Sequence, residues 1–139
     1  MKNFLFDVDG TLTPHRQPMT DDFKHFFMKM LRNKGDDEKV FLVTGSDKEK
    51  TIEQVGHAIW HSVDGCYQNC GNQLYVDGQL IKQSEWELCG GLEQSVKNQI
   101  RKSVWNGTAG TNIEKRVGMA NMTTIGRECT QEEREYYYE

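Results

Sequence analysis

The chain has 139 residues, with 17 Lys and Arg against 21 Asp and Glu, for a formal charge of −4. At roughly 150 residues per domain that is one domain or slightly more, and three Trp with six Phe argue against disorder. Mild acidity gives no reason to expect nucleic acid, and no apolar run approaches the ~18 residues of a membrane helix.

In chain order, residues 3–8 form an apolar run broken at Asp9-Gly10, the pattern of a buried parallel strand entering a loop. A carboxylate as early as Asp7 speaks against a signal peptide. Phe23, Phe26, Phe27, Met30 and Leu31 make one apolar stripe on a helix over 20–33, with Thr20 or Asp21 at its start and Gly35 at its end. Residues 40–43 read as a second buried strand, closed by Thr44-Gly45-Ser46-Asp47. A helix over 47–60 follows, with Ile52, Val55 and Ile59 on one face. This strand–helix rhythm implies an α/β fold with a parallel sheet.

Residues 73–82 then read as two short strands around Asp77-Gly78, a favoured hairpin turn. Leu92, Val96 and Ile100 mark a helix over 91–103, and 111–125 reads as an antiparallel pair bending near Gly118. A boundary near residue 82 separates an α/β core, 1–82, from an α+β module, 83–139. Thr130 and Glu133 fit a capping box, so the last residues form either a short helix or a frayed tail. Cysteines 66, 70, 89 and 129 show no disulfide spacing and read as free thiols of a reducing cytoplasm. Two glycosylation sequons, at Asn106-Gly107-Thr108 and Asn121-Met122-Thr123, read as chance matches.

The first candidate site is Asp7-Val8-Asp9-Gly10-Thr11, where a buried strand leaves the sheet. Open α/β folds bind ligands at that edge. One carboxylate there can attack phosphorus, and a second in a different environment can carry the proton. Paired negative charges repel a phosphate, which calls for Mg²⁺ held by Asp7 and Asp9 with phosphate oxygens and water. Thr44, Gly45 and Ser46 supply a hydroxyl and backbone N–H groups at the same edge.

Asp7 through Thr13 resembles the first motif of the haloacid dehalogenase phosphotransferases, and Thr44 resembles the second-motif hydroxyl. The likeness extends to the eukaryotic-type phosphomannomutases. It is carried by Asp7 through Gln17, Gly45-Ser46-Asp47, Tyr75 through Gly78, Gly110 through Arg116, Gly118-Met119, Ile125-Gly126-Arg127 and Cys129 through Arg134. The resemblance implies a haloacid-dehalogenase-like core with an α+β cap, both incomplete at the C-terminus. It implies interconversion of mannose 6-phosphate and mannose 1-phosphate through an aspartyl phosphate on Asp7 and a hexose 1,6-bisphosphate, supplying GDP-mannose. Asp9 is then the general acid and base, and Arg16, Arg101 and Arg116 hold substrate phosphate. The cap closes over the core and excludes water. The implied partners are a hexose phosphate and either a second copy, paired through the cap, or a completing C-terminal chain.

Two departures limit the expected activity. Ala109 stands where the family has an arginine, and such a contact is worth about 1.5–3 kcal/mol. The family also continues well past residue 139, with further strands and metal support, so this chain by itself is expected to be weak or inactive as a mutase. Three other readings are a sugar-phosphate phosphohydrolase, a non-catalytic dimerising remnant, and a zinc module built on His57, His61, Cys66 and Cys70.

Overall fold

A computed structural model describes residues 1–105 and 109–138, and the sequon at Asn106-Gly107-Thr108 lies outside them. The chain divides into two compact units, Met1–Ser84 and Glu85–Glu139.

The first unit runs β1 (Lys2–Asp7), α1 (Asp21–Arg32), β2 (Glu38–Val43), α2 (Lys48–Val55), α3 (His57–Ser62), β3 (Gly65–Gln68), β4 (Gln73–Val76) and β5 (Gln79–Gln83). The strands form one sheet in the order β1-β2-β3-β4-β5. β1, β2 and β3 are parallel, while β4 and β5 are antiparallel additions. Asp77 and Gly78 both take positive φ, at 50° and 75°, which gives the hairpin turn expected from their residue types.

Side chains alternate across the sheet. Phe6, Val40, Leu42 and Cys66 point to one face, where Phe27 and Leu31 of α1, Val55 of α2 and Ile59 and Trp60 of α3 complete the core. Phe27 meets Phe6 edge-on at 5.3 Å between ring centroids, and Trp60 meets Tyr75 at 5.5 Å. Burial pushes the Cys66 thiol up to about 12, so it is an inert core group.

Three expectations need correction. The helix expected over 47–60 is two helices, because Gly56 takes φ 86° and ψ 154°, a conformation that only glycine adopts cheaply. Phe26 lies on the expected apolar stripe but is 62% exposed, stacked on Phe23 rather than packed in the core. Thr20 occupies the N-cap of α1 without a side-chain cap bond, and the helix closes at Asn33, ahead of Gly35.

Asp64 ties the rear of the sheet together. Its carboxylate accepts from Lys34, from Lys39 at 2.9 Å and from the Val40 N–H at 2.8 Å. Burial pushes this carboxyl up, but the Lys34 ammonium, the Val40 N–H and Lys39 outweigh it and hold it at about 2. A depressed carboxyl stabilises the fold fully above its unfolded value of 3.8 and loses that contribution as pH falls toward 2. Asp64→Asn is expected to cost up to about 2 kcal/mol at neutral pH and nearly nothing near pH 2. Urea unfolding of both proteins across that range measures the difference.

The second unit contains α4 (Gly90–Lys102), β6 (Ile113–Arg116), β7 (Met119–Met122) and α5 (Gln131–Tyr138). β6 and β7 pair antiparallel around Val117-Gly118, and Ile100 and Ile125 are buried. The capping box forms: Glu133 N–H donates to Thr130 Oγ1 at 3.1 Å, and Thr130 N–H donates to Glu133 Oε2 at 2.7 Å. Trp105 lies edge-on against Tyr136 and Tyr137 at 5.6 and 5.7 Å, which holds α5 as a helix rather than a frayed tail. Among the described residues no helix is long and apolar enough to cross a membrane.

Candidate active site

Asp7 pairs in register with Val43, so the chain leaves β1 and β2 at the same sheet edge. That register brings Asp7 and Asp9 to the side of the sheet from which Thr44, Gly45 and Ser46 also emerge. The loop after β1 is wound tightly: the Val8 carbonyl accepts from the N–H groups of Thr11, Leu12 and Thr13 at 3.3, 2.9 and 3.0 Å. Gly10 turns this loop at φ 77°.

The two carboxylates occupy different environments. Asp7 is exposed. Asp9 is half-buried, and its Oδ1 accepts from the Arg16 N–H and from Gln54 Nε2, each at 2.8 Å. Burial pushes the Asp9 carboxyl up, but these two hydrogen bonds and the His15 and Arg16 charges outweigh it, and the net direction is down. Asp9 is therefore an ionised carboxylate held in a fixed orientation. Arg16 takes φ 57°, a left-handed conformation that turns its N–H onto Asp9.

Gln54 belongs to none of the sequence motifs. It is fully buried at the inner end of α2, and its amide bridges Asp9 and Thr13 Oγ1, the latter at 3.3 Å. Its own Oε1 has no partner among the described residues. A neutral amide at a helix position that faces the core, between Thr51 and Val55 on the buried side of α2, is the signal that points to it.

Thr44 is buried, and its Oγ1 accepts from the Ser46 N–H at 3.1 Å, which turns the hydroxyl proton away from that N–H. The loop is strapped to the turn after β3: Cys70 N–H donates to the Thr44 carbonyl at 3.1 Å and Asn69 N–H to the Ser46 carbonyl at 2.9 Å. The Ser46 N–H is thus engaged within its own loop. Asp47 then caps α2 by accepting from the Lys50 N–H at 2.9 Å.

The remaining sequence candidates belong to the second unit. Arg101 lines a groove between α4 and β6 with Lys97, Lys115, Thr111 and Asn112. Glu93 answers part of this charge, pairing with Lys97 at 2.6 Å and Lys115 at 2.5 Å. Arg116 holds Glu114 Oε1 at 3.0 Å. Arg127, to which the sequence reading attached no role, holds Glu114 Oε2 at 2.8 Å. Two guanidiniums thus converge on one carboxylate.

Among the described residues no three His, Cys, Asp or Glu side chains cluster as a metal site. The zinc reading is left with the stacked pair His57 and His61, 6.4 Å apart, while Cys66 lies in the core. Mg²⁺ makes a smaller demand, since it binds through one or two carboxylates plus substrate oxygens and water. The exposed Asp7 carboxylate beside Asp9 is a hard oxygen set that fits it.

A family profile for eukaryotic phosphomannomutase matches residues 24–139. The chain belongs to the eukaryotic phosphomannomutase family. Phosphomannomutases of Nicotiana benthamiana and Galdieria sulphuraria are 36% and 37% identical to it, each over 96% of this chain and 54% of its own length. That of Arabidopsis thaliana is 33% identical, over 96% of this chain and 55% of its own length. The chain spans about half the length of the curated phosphomannomutases it matches.

Solved structures agree on the fold. The C-terminal domain of trehalose-6-phosphate phosphatase from C. albicans superposes with a TM-score of 0.57 at 16% identity, over 83% of this chain and 39% of that one. A haloacid dehalogenase-like hydrolase from Bacteroides thetaiotaomicron gives 0.53 at 10%, over 72% and 38%. The chain shares the α/β fold of that haloacid dehalogenase-like hydrolase. Thr44 through Ser46, Arg101, Arg116 and Arg127 fall inside the phosphomannomutase profile match, while Asp7, Asp9 and Arg16 precede it.

Proposed function

We propose that the chain carries the phosphoryl-transfer part of a phosphomannomutase, acting on mannose 6-phosphate and mannose 1-phosphate to supply GDP-mannose synthesis. The observation behind this is the asymmetric pair of carboxylates: Asp7 exposed and available, Asp9 oriented through Oδ1 by Gln54 and the Arg16 N–H. In this reading Met1–Ser84 is the catalytic core and Glu85–Glu139 the cap.

Asp7 is the nucleophile. With Asp7 phosphorylated, a hexose-phosphate hydroxyl attacks its phosphorus, Asp9 takes the hydroxyl proton, and the Asp7 carboxylate leaves. In the reverse half-reaction Asp7 attacks the other phosphate of the bisphosphate, and Asp9 returns its proton to the departing sugar oxygen. Thr44, Gly45 and Ser46 bind the transferring phosphoryl group, and Arg16, Arg101 and Arg116 bind the sugar's phosphates. Asp7 and Asp9 would hold Mg²⁺, which neutralises phosphoryl charge when bound. Four free thiols suit a reducing cytoplasm.

Incubating the purified chain with mannose 1-phosphate, a bisphosphate primer and Mg²⁺, and separating the products, tests this reading. Weak formation of mannose 6-phosphate is expected. The exposure of Asp7 favours a second reading, since water reaching an aspartyl phosphate hydrolyses it. Inorganic phosphate without isomerisation would select that hydrolase, and absence of both products would remove the activity from the isolated chain.

A further inference from the structure

The chain has four histidines, and the site at Asp7 and Asp9 leaves two of them without a role. His25 is engaged on its own helix, with Nδ1 2.8 Å from the Asp21 carbonyl oxygen. His15 lies by the loop after β1, its Nε2 4.0 Å from where a Cβ on Gly10 would stand. His57 and His61 are exposed, and neither ring has a hydrogen bond or an ion pair among the described residues.

The helix brings these two rings together. α3 sets residues four apart on one face, and His57 and His61 are its first and fifth residues. The rings are nearly parallel, 12° between planes, with centroids 6.4 Å apart. The β4–β5 turn closes on one side of the pair. A Cβ at Gly78 would stand 2.9 Å from His61 Cε1 and 3.2 Å from its Nδ1, so only a glycine lets the turn come this near. The turn covers the Nδ1 edge of that ring, which leaves Nε2 as its open nitrogen.

Two open imidazoles one helical turn apart form a chelate. Imidazole nitrogen favours Zn²⁺, Ni²⁺ and Cu²⁺, whereas Mg²⁺ favours carboxylate and water oxygens. Zn–N bonds of about 2.0–2.1 Å set the two nitrogens roughly 3.3 Å apart, a closure that rotation of two exposed side chains supplies. Neither neighbouring thiol joins them. Cys66 is in the core, and Cys70 Sγ lies 3.4 Å from where a Cβ on Gly45 would stand, at the loop after β2. Among the described residues no third His, Cys, Asp or Glu completes the set, so water takes the remaining positions.

We infer that His57 and His61 form a two-imidazole surface site for a divalent transition-metal ion of the zinc class, separate from the carboxylates that fit Mg²⁺. The metal acts on α3 itself. That helix is six residues long, starts at the Gly56 break and has no side-chain cap bond. A helix so short is marginal by itself, and a metal clip across its turn holds Ile59 and Trp60 in the core. The site is independent of the proposed phosphoryl transfer.

The test titrates Zn²⁺ into the whole 139-residue chain by calorimetry, with accessible thiols capped by iodoacetamide and excess Mg²⁺ present to occupy the carboxylates. One Zn²⁺ per chain is expected, with amide exchange at 60–63 slowed about tenfold or more relative to Mg²⁺ alone. His57→Ala and His61→Ala are each expected to weaken Zn²⁺ about tenfold or more and to abolish the slowing. The melting temperature of the metal-free chain should stay unchanged, because both rings are exposed. Ala58→His combined with His61→Ala keeps two imidazoles but makes them adjacent, where they do not face each other, and it should behave as His61→Ala does. Absence of Zn²⁺ binding overturns the inference. So does binding that survives both single substitutions, which places the metal on other groups, or binding as tight as native in the double variant.

Discussion

Asp7→Asn is expected to lower Mg²⁺-dependent turnover of an aryl phosphate by about 10⁴-fold or more, to the level of the assay without protein. The substitution keeps the shape of the side chain and removes the charged oxygen that attacks phosphorus. The Asp7 side chain has no hydrogen bond or ion pair among the described residues, so nothing in the fold depends on its charge. The melting temperature should therefore stay within a degree or so of the native protein's, which separates lost chemistry from lost structure. An aryl phosphate is the suitable probe because its reactive leaving group places little demand on Asp9 or on the arginines of the second unit. Native-level turnover by Asp7→Asn would mean that the nucleophile lies elsewhere.

Phe27→Ala should be the most damaging single core change, costing about 3–5 kcal/mol in urea unfolding. Phe27 is 1% exposed and stands edge-on to Phe6 at 5.3 Å, with Phe23 at 6.4 Å. Truncation opens a cavity between α1 and the sheet that the stiff strand backbone cannot close. Domain stabilities run at about 5–15 kcal/mol, so the variant would retain only part of its first unit's stability. Phe26→Ala, one residue away, should change stability by less than about 1 kcal/mol, because Phe26 already faces solvent. Equal effects of the two substitutions would contradict the packing described for α1.

That pair of phenylalanines shows where sequence pattern stops. Helical periodicity places both on one stripe, and only the angle at which α1 meets the sheet decides which is buried. β1, α1, β2, the hairpin and the strand pair of the second unit were legible because each has a long enough apolar period or a turn dipeptide with a defined conformation. β3 was not legible: four residues beginning with glycine carry too little pattern, and the strand forms because β2 offers an open parallel edge. The helical period runs straight through Gly56, since a glycine in a periodic run does not by itself announce φ 86°.

The candidate site was legible to a similar extent. Asp7, Asp9 and Thr44 follow from two strands ending at one sheet edge, which the β1–β2 register provides. Gln54 lies 45 residues from Asp9 in sequence and reaches it only because α2 packs beneath the loop after β1. The convergence of Arg116 and Arg127 on Glu114 likewise requires the β6–β7 hairpin to have folded before Arg127 can reach Glu114.

Asp7 accepting a phosphoryl group is the claim on which the account stands. The direct measurement is to incubate the chain with Mg²⁺ and an activated phosphate donor, reduce with borohydride, and map the modified residue by peptide mass spectrometry. The account predicts reduction of an acyl phosphate at Asp7, and no modification in Asp7→Asn. Phosphoryl turnover with Asp7 unmodified, or an adduct on any other residue, would contradict it.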